Sequence, residues 1–294
     1  MLDLTHLRLD DVQGVGTIEL DLDPSKQAYV FIGANGVGKT KLLETIFDFL
    51  ILDSKDNAYT LINTESRGQF KDGSKNSDFL RKWIKESVAL SSIFQRTKNN
   101  RQHYLMTILH CLHEIDPQYD SNFLEMDEKE NIFIRVNSKE KELSELSTGF
   151  VSIFKILTEM ISAYGNISQE KELQKTKGIV LIDEIESHLH LEWQVKIIPT
   201  LKKLFPNTTF FIATHSPLVL SQLEDGEAYE LRRDADDIVR TYKIKNPGNT
   251  AMIDLLKQAF HIDLNRLALD RPVSNAQKEA KKKLLKYLRE RKAS

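Results

Sequence analysis

The stretch GANGVGKT (33–40) matches G-x-x-x-x-G-K-[ST] in full, and its residue types suit the holding of phosphate. Gly33, Gly36 and Gly38 let the backbone wrap closely around phosphate oxygens and aim N–H groups inward. Ala34, Asn35 and Val37 belong to the same cradle. The Lys39 ammonium can reach β- and γ-phosphates, and the Thr40 hydroxyl can ligate Mg²⁺. The flanks fit this chemistry. AYVFI (28–32) reads as a buried strand, and Leu42, Leu43, Ile46, Phe47 and Leu50 follow at helical spacing.

Two more apolar runs end in polar residues able to serve the same phosphate. IVLI (179–182) leads into Asp183 and Glu184. An aspartate there can hold Mg²⁺, and the next glutamate can polarise a water for attack on the γ-phosphate. The plain alternative is an acidic helix start. TTFFIA (208–213) leads to His215, which can hydrogen-bond the γ-phosphate or the attacking water. The three runs would end on one edge of a parallel sheet, where open α/β sheets bind ligands. A fourth stretch, ELSTGFVSIFKIL (145–157), begins with Ser147 as a good helix N-cap, and Phe150, Ile153, Phe154, Leu157 and Ile161 share one face. With Gly149 in its first turn, that helix start is also an anion site.

The elements that must position these residues alternate between strand and helix, which predicts an α/β fold with a mainly parallel central sheet. Residues 4–22 read as two strands turning at Gly14–Gly16. Residues 53–78 read as loops with one short strand, 79–114 as mostly helical, and 131–137 as a strand. A helix should run to about Phe205, kinked or restarted by Pro199. AYELRR and IVRTYKI suggest an antiparallel hairpin across DADD, and the last fifty residues look helical.

Composition narrows the classes. Forty-three acids nearly cancel forty-one bases, so no global field draws the chain to nucleic acid or anionic lipid. The single cysteine, Cys111, permits no intrachain disulfide and suits a reducing cytoplasm. The opening MLDLTHLRLDD lacks a signal-peptide pattern, and the longest apolar runs are too short to span a bilayer, so a cytoplasmic protein without a membrane partner is expected.

GANGVGKT, LSTGF, DEIESHLHLEWQ and THSP, in this order, resemble the ABC-type ATPases of the RecF and SMC group. They are most similar to the compact ATPases of Septu, retron, PARIS and OLD-like bacterial defence loci. The resemblance covers about residues 4–245. It implies a P-loop NTPase of the ABC-head type, with antiparallel edge strands and a helical lobe. Residues 1–245 would form the head, with a helical or loop insertion at about 53–130, and 246–294 a helical extension with a basic tail. ATP and Mg²⁺ would be the cofactors. The resemblance makes Glu184 the general base, Lys39 a catalytic phosphate ligand, and His215 the switch histidine. Thr40 and Asp183 would hold Mg²⁺. Ser147 and Gly149 would touch the γ-phosphate of ATP bound by a second copy, and Glu186 to His190 would lie at that dimer seam. Gln69 is the candidate metal-side glutamine of the family's Q-loop, with Gln95 and Gln102 competing. Thr148, Phe150, Ile185 and Leu191 depart from the common pattern without removing a chemical group.

The expected function is therefore a Mg²⁺-dependent ATPase subunit. It would form a homodimer or higher homo-oligomer around ATP and regulate a separately encoded effector, a nuclease, in anti-phage defence. The alternatives are a RecF-like DNA-maintenance ATPase and, less well supported, a transporter ATPase. Three features are set aside or left open. HCLHE (110–114) lacks the further ligands that a zinc site requires. DADD (234–237) reads as a polar turn. The tail 274–294 carries eight bases and two acids. Its basic run 278–292 would be a solvated helix face, or would dock on a partner protein or a nucleic-acid backbone.

Overall fold

The computed structural model describes residues 4–53, 58–63, 100–129, 131–167, 172–264 and 266. Gln69, Gln95 and the basic tail lie outside this set, as do the expected helix over 79–99 and the side chain of Gln102.

Eight strands form the main sheet: β1 (His6–Val12), β2 (Gly16–Asp21), β3 (Ala28–Ile32), β4 (Ala58–Ile62), β8 (Gly178–Ile182), β9 (Thr208–Ala213), β10 (Ala228–Arg233) and β11 (Val239–Lys243). Their order is β1-β2-β11-β10-β3-β9-β8-β4. From β10 through β3, β9 and β8 to β4 every pairing is parallel, while β1–β2 and β10–β11 are antiparallel. The expected hairpin is therefore present, and the antiparallel pieces cluster at one side. The short strand expected within 53–78 is the edge strand β4, so part of the stretch read as an insertion belongs to the central sheet.

The apolar runs are continuous because both faces of the sheet are covered. Side chains alternate across a strand. Val30, Ile32, Val180, Ile182, Phe210 and Ile212 enter one core, whereas Tyr29, Phe31, Leu181, Phe211 and Ala213 enter the other. Helix α1 (Lys39–Asp53) covers the second face through Leu42, Leu43, Ile46 and Leu50. Helix α3 (Thr148–Ile167) covers the first, and Phe150, Ile153, Phe154, Leu157 and Ile161 are all fully buried. Burial of each such side chain contributes about 1.5–3 kcal/mol. More than the expected single face is covered, since Val151, Ile156 and Met160 are also buried. Helix α2 (Asn100–Ile115) packs on α3 and supplies part of that cover.

A second, antiparallel sheet joins β5 (Tyr119–Met126), β6 (Ile132–Val136) and β7 (Lys139–Glu142) in that order. The lobe expected to be helical is therefore mixed, with α2 packed against β5. Helix α4 (Leu191–Leu204) continues through Pro199 to end beside Phe205, without the expected restart. Two further α-helices are short: α5 (Pro217–Leu220) and α6 (Met252–Phe260). Among the described residues no helix is long and apolar enough to cross a membrane.

Candidate functional site

The loop 33–40 leaves the C-terminal end of β3 and runs into α1. Gly33, Gly36 and Gly38 adopt φ of +148°, +78° and +109°, a region that side chains with a Cβ rarely enter. Two of these glycines are also required by space. A Cβ on Gly33 would lie 2.5 Å from the Leu231 carbonyl oxygen of β10, and one on Gly38 would lie 2.8 Å from the Val15 side chain. Arg233 holds that β1–β2 turn by donating to the Val15 carbonyl at 2.8 Å. The Lys39 ammonium donates to the Gly33 and Ala34 carbonyls at 2.8 and 3.1 Å. Burial pulls its pKa down, against an upward pull from Asp183, Glu184 and Glu186. A cavity of about 750 Å³ opens beside the loop, lined by residues 33–37 together with His215, Glu230, Arg232 and His261.

Strand β8 lies two places along the sheet from β3, with β9 between them. Its end brings Asp183 against the start of α1, where Thr40 Oγ1 donates to Asp183 Oδ2 at 2.7 Å. A hydroxyl and a carboxylate oxygen so placed are the hard donors that Mg²⁺ takes. Among the described residues no three or more His, Cys, Asp or Glu converge as a metal cage. Nucleotide-bound Mg²⁺ needs only one or two protein oxygens beside phosphate, so the donor set fits. Glu184 follows in left-handed conformation, φ +45°, which turns the chain sharply as it leaves the strand. Its Oε2 accepts from Ser187 Oγ at 3.0 Å.

The end of β9 completes the edge. His215 is exposed, while Thr214 before it and Ser216 after it are buried. Ser216 Oγ caps α5 by accepting from the Leu218 and Val219 amides. It also donates to Gln194 Oε1 at 2.7 Å, and Gln194 Nε2 donates to the Leu189 carbonyl at 2.9 Å. The turns after β8 and β9 are thus linked through α4.

The helix start at 147 lies elsewhere. Ser147 Oγ accepts from the Phe150 amide at 3.2 Å, the expected N-cap. Ser147 and Thr148 are exposed, whereas Gly149 is buried against its own chain. A Cβ there would lie 2.9 Å from the His188 carbonyl oxygen. Ser152, one turn on, donates to the Ser187 carbonyl at 3.2 Å.

Residues 113–221 match the family model described as "AAA domain, putative AbiEii toxin, Type IV TA system". The chain is 33% identical over 132 residues to the Septu protein PtuA of Bacillus mycoides (strain KBAB4), covering 45% of this chain and 18% of that protein. It is 26% identical over 215 residues to the "Retron Ec83 probable ATPase" of Escherichia coli, covering 67% of this chain and 40% of the relative. In each case the match spans less than half of the relative's length. A crystal structure of an SMC head bound to the C-winged helix domain of ScpA superimposes with a TM-score of 0.50 at 14% identity, covering 82% of this chain and 97% of that one. The chain is thus similar over part of its length to Septu and retron proteins, and its fold is that of an SMC head.

The loop 33–40, Asp183, Glu184 and His215 gather at the C-terminal ends of β3, β8 and β9, which are adjacent and parallel. Ser147 and Gly149 lie at the start of α3, where Ser147 lines a different cleft together with His190 and Trp193. The sequence reading missed Val15 and Arg233, which brace the loop from the antiparallel side, and no local pattern marks them. Gln194 closes the motif DEIESHLHLEWQ, but the motif alone assigns it no role. The features set aside have structural partners. Cys111 is buried beside Gln174, and burial pushes its thiol up to about 12. His113 meets the Tyr119 carbonyl at 2.7 Å. Asp234 and Asp236 both accept from Arg240 across the hairpin turn.

Proposed function

We propose that this ATPase head binds ATP with Mg²⁺, hydrolyses it, and closes on a second copy as it does so. The observation that carries the proposal is the 2.7 Å contact between Thr40 and Asp183, residues 143 apart in sequence, with Lys39 and Glu184 beside them. Residues 33–40 would cradle the phosphates, and Lys39 would exchange its loop carbonyls for phosphate oxygens. Thr40 and Asp183 would hold Mg²⁺, which when bound offsets charge on the phosphate oxygens. Glu184 would orient the attacking water and take its proton, while His215 would hydrogen-bond the γ-phosphate. Gln69 remains the proposed further metal-side residue.

Ser147 is exposed on a helix start and can meet an anion brought by another chain. It lines a different cleft from the one beside the loop 33–40 of the same chain, which supports dimerisation around ATP. The likeness to Septu and retron proteins supports a role in anti-phage defence, and the regulated partner would be a separately encoded nuclease. The head would span 1–245, and the basic segment 278–292 would contact a partner protein or nucleic acid.

Sedimentation of the Glu184→Gln protein tests this reading. A dimer should appear with Mg-ATP and vanish with ADP, and Ser147→Arg should block it while ATP still binds. ATP-driven dimers that survive Ser147→Arg would return Ser147 to the plain role of a helix cap.

A further inference from the structure

Family resemblance places Glu186 among residues that face a second chain, yet its carboxylate is engaged inside its own. Oε1 accepts the His215 backbone N–H at 2.6 Å, and Oε2 accepts the Thr214 hydroxyl at 2.5 Å. Thr214 is fully buried, and its Oγ1 also accepts the Ser216 amide at 3.0 Å. One carboxylate thus fixes residues 214 and 215 directly and 216 through Thr214. Hydrogen bonds to a charged acceptor are about twice as strong as neutral ones. The contact bridges 29 residues and ties the turn after β8 to the turn after β9.

Geometry then gives the consequence. His215 is exposed, so packing does little to fix its ring. The backbone from which the ring projects is fixed instead, and Glu186 supplies two of the bonds that fix it. The same turn carries Glu184, whose carboxylate is held by Ser187, one residue beyond Glu186. We propose that Glu186 is a positioning residue. It sets the angle of the His215 turn relative to Glu184, so that both groups reach the same γ-phosphate together. This rests on the reading of the edge as an ATP-hydrolysing site and adds to it a residue that touches neither nucleotide nor water.

Glu186→Ala removes both acceptors. Misplacement of about 1 Å can cost on the order of 100-fold in rate. The expected result is a fall in kcat of about 10- to 100-fold with KM and ATP affinity within about 3-fold of wild type. Glu186→Gln keeps an acceptor for the His215 amide and offers a donor to Thr214, so it should recover most of the loss. In a His215→Ala background, Glu186→Ala should slow turnover by less than about 2-fold, because its effect runs through the histidine. Additive losses in that double mutant, or a loss of ATP binding, would overturn the proposal. Histidine side-chain NMR gives a readout independent of turnover. Glu186→Ala should shift the His215 imidazole resonances while the melting temperature stays within a few degrees, and unshifted resonances would overturn the placement even in a protein that does not hydrolyse ATP. An inactive wild type with shifted resonances would instead refute the ATPase reading and leave the positioning contact standing.

Discussion

The loop at 33–40 and the helix start at 147–150 both combine small residues with a helix N-terminus, but glycine serves different ends in them. In the loop, positive φ at Gly33, Gly36 and Gly38 shapes the backbone into a concave cradle, and Lys39 sits buried beneath it. At the helix start, Gly149 lies inside α3, and its missing side chain makes room for the His188 carbonyl. The first arrangement has carboxylates and a buried lysine of the same chain close by, as the proposed phosphate cradle needs. The second offers an exposed Ser147 and Thr148 and leans on the turn that carries Glu184. Under the proposed reading, one chain would supply the phosphate cradle and, separately, a helix start able to meet an anion. That division suits a site finished by another copy.

The largest effect that sharpens this contrast is expected at Lys39. Lys39→Ala should weaken ATP binding by about 100-fold, the scale of a lost charge-assisted contact. Isothermal titration would measure it, and unchanged affinity would break the cradle assignment. The glycines come next. Gly149→Ala forces a methyl group to 2.9 Å from the His188 oxygen, so a loss of about 1–3 kcal/mol in urea unfolding is expected. Gly36→Ala has open space around its Cβ but φ of +78°, so its smaller cost, about 1 kcal/mol, should come from backbone strain alone. If Gly149→Ala proves as mild as Gly36→Ala, the packing role of Gly149 fails.

The smallest expected effect lies at the turn of the β10–β11 hairpin. Hydrogen bonds from Arg240 hold Asp236 at about 2 and Asp234 below its ordinary value. Both carboxylates are therefore depressed on folding. Their modest contribution is present above about pH 4, near the unfolded value, and is lost as pH falls through the folded values toward 2. Arg240→Gln should flatten this part of the acid-unfolding curve and leave ATP binding unchanged.

Much of the edge was legible because parallel strands buried on both faces leave continuous apolar runs, and 28–32, 179–182 and 208–213 each end in a chemical group. The second sheet was not so legible. β7 is KEKE, with Lys139, Glu140 and Lys141 exposed, so backbone pairing to β6 defines it rather than any apolar pattern. β4 was legible as a strand but not as a member of the central sheet, since its pairing with β8 joins segments about 120 residues apart. Thr40 and Asp183 were each legible, but their contact was not, since it depends on the order β3-β9-β8. Glu186 shows the limit from the other side. Its position in DEIESH suggested an outward role, and only the register of the two turns shows the carboxylate directed to Thr214 and His215.

The central claim is that Glu184 activates water at the edge built by Lys39, Thr40 and Asp183. It is tested most directly by measuring ATP affinity and single-turnover hydrolysis together in Glu184→Gln. The account predicts affinity within about 3-fold of wild type and hydrolysis slower by about 100-fold or more. Hydrolysis at the wild-type rate in that protein would contradict it.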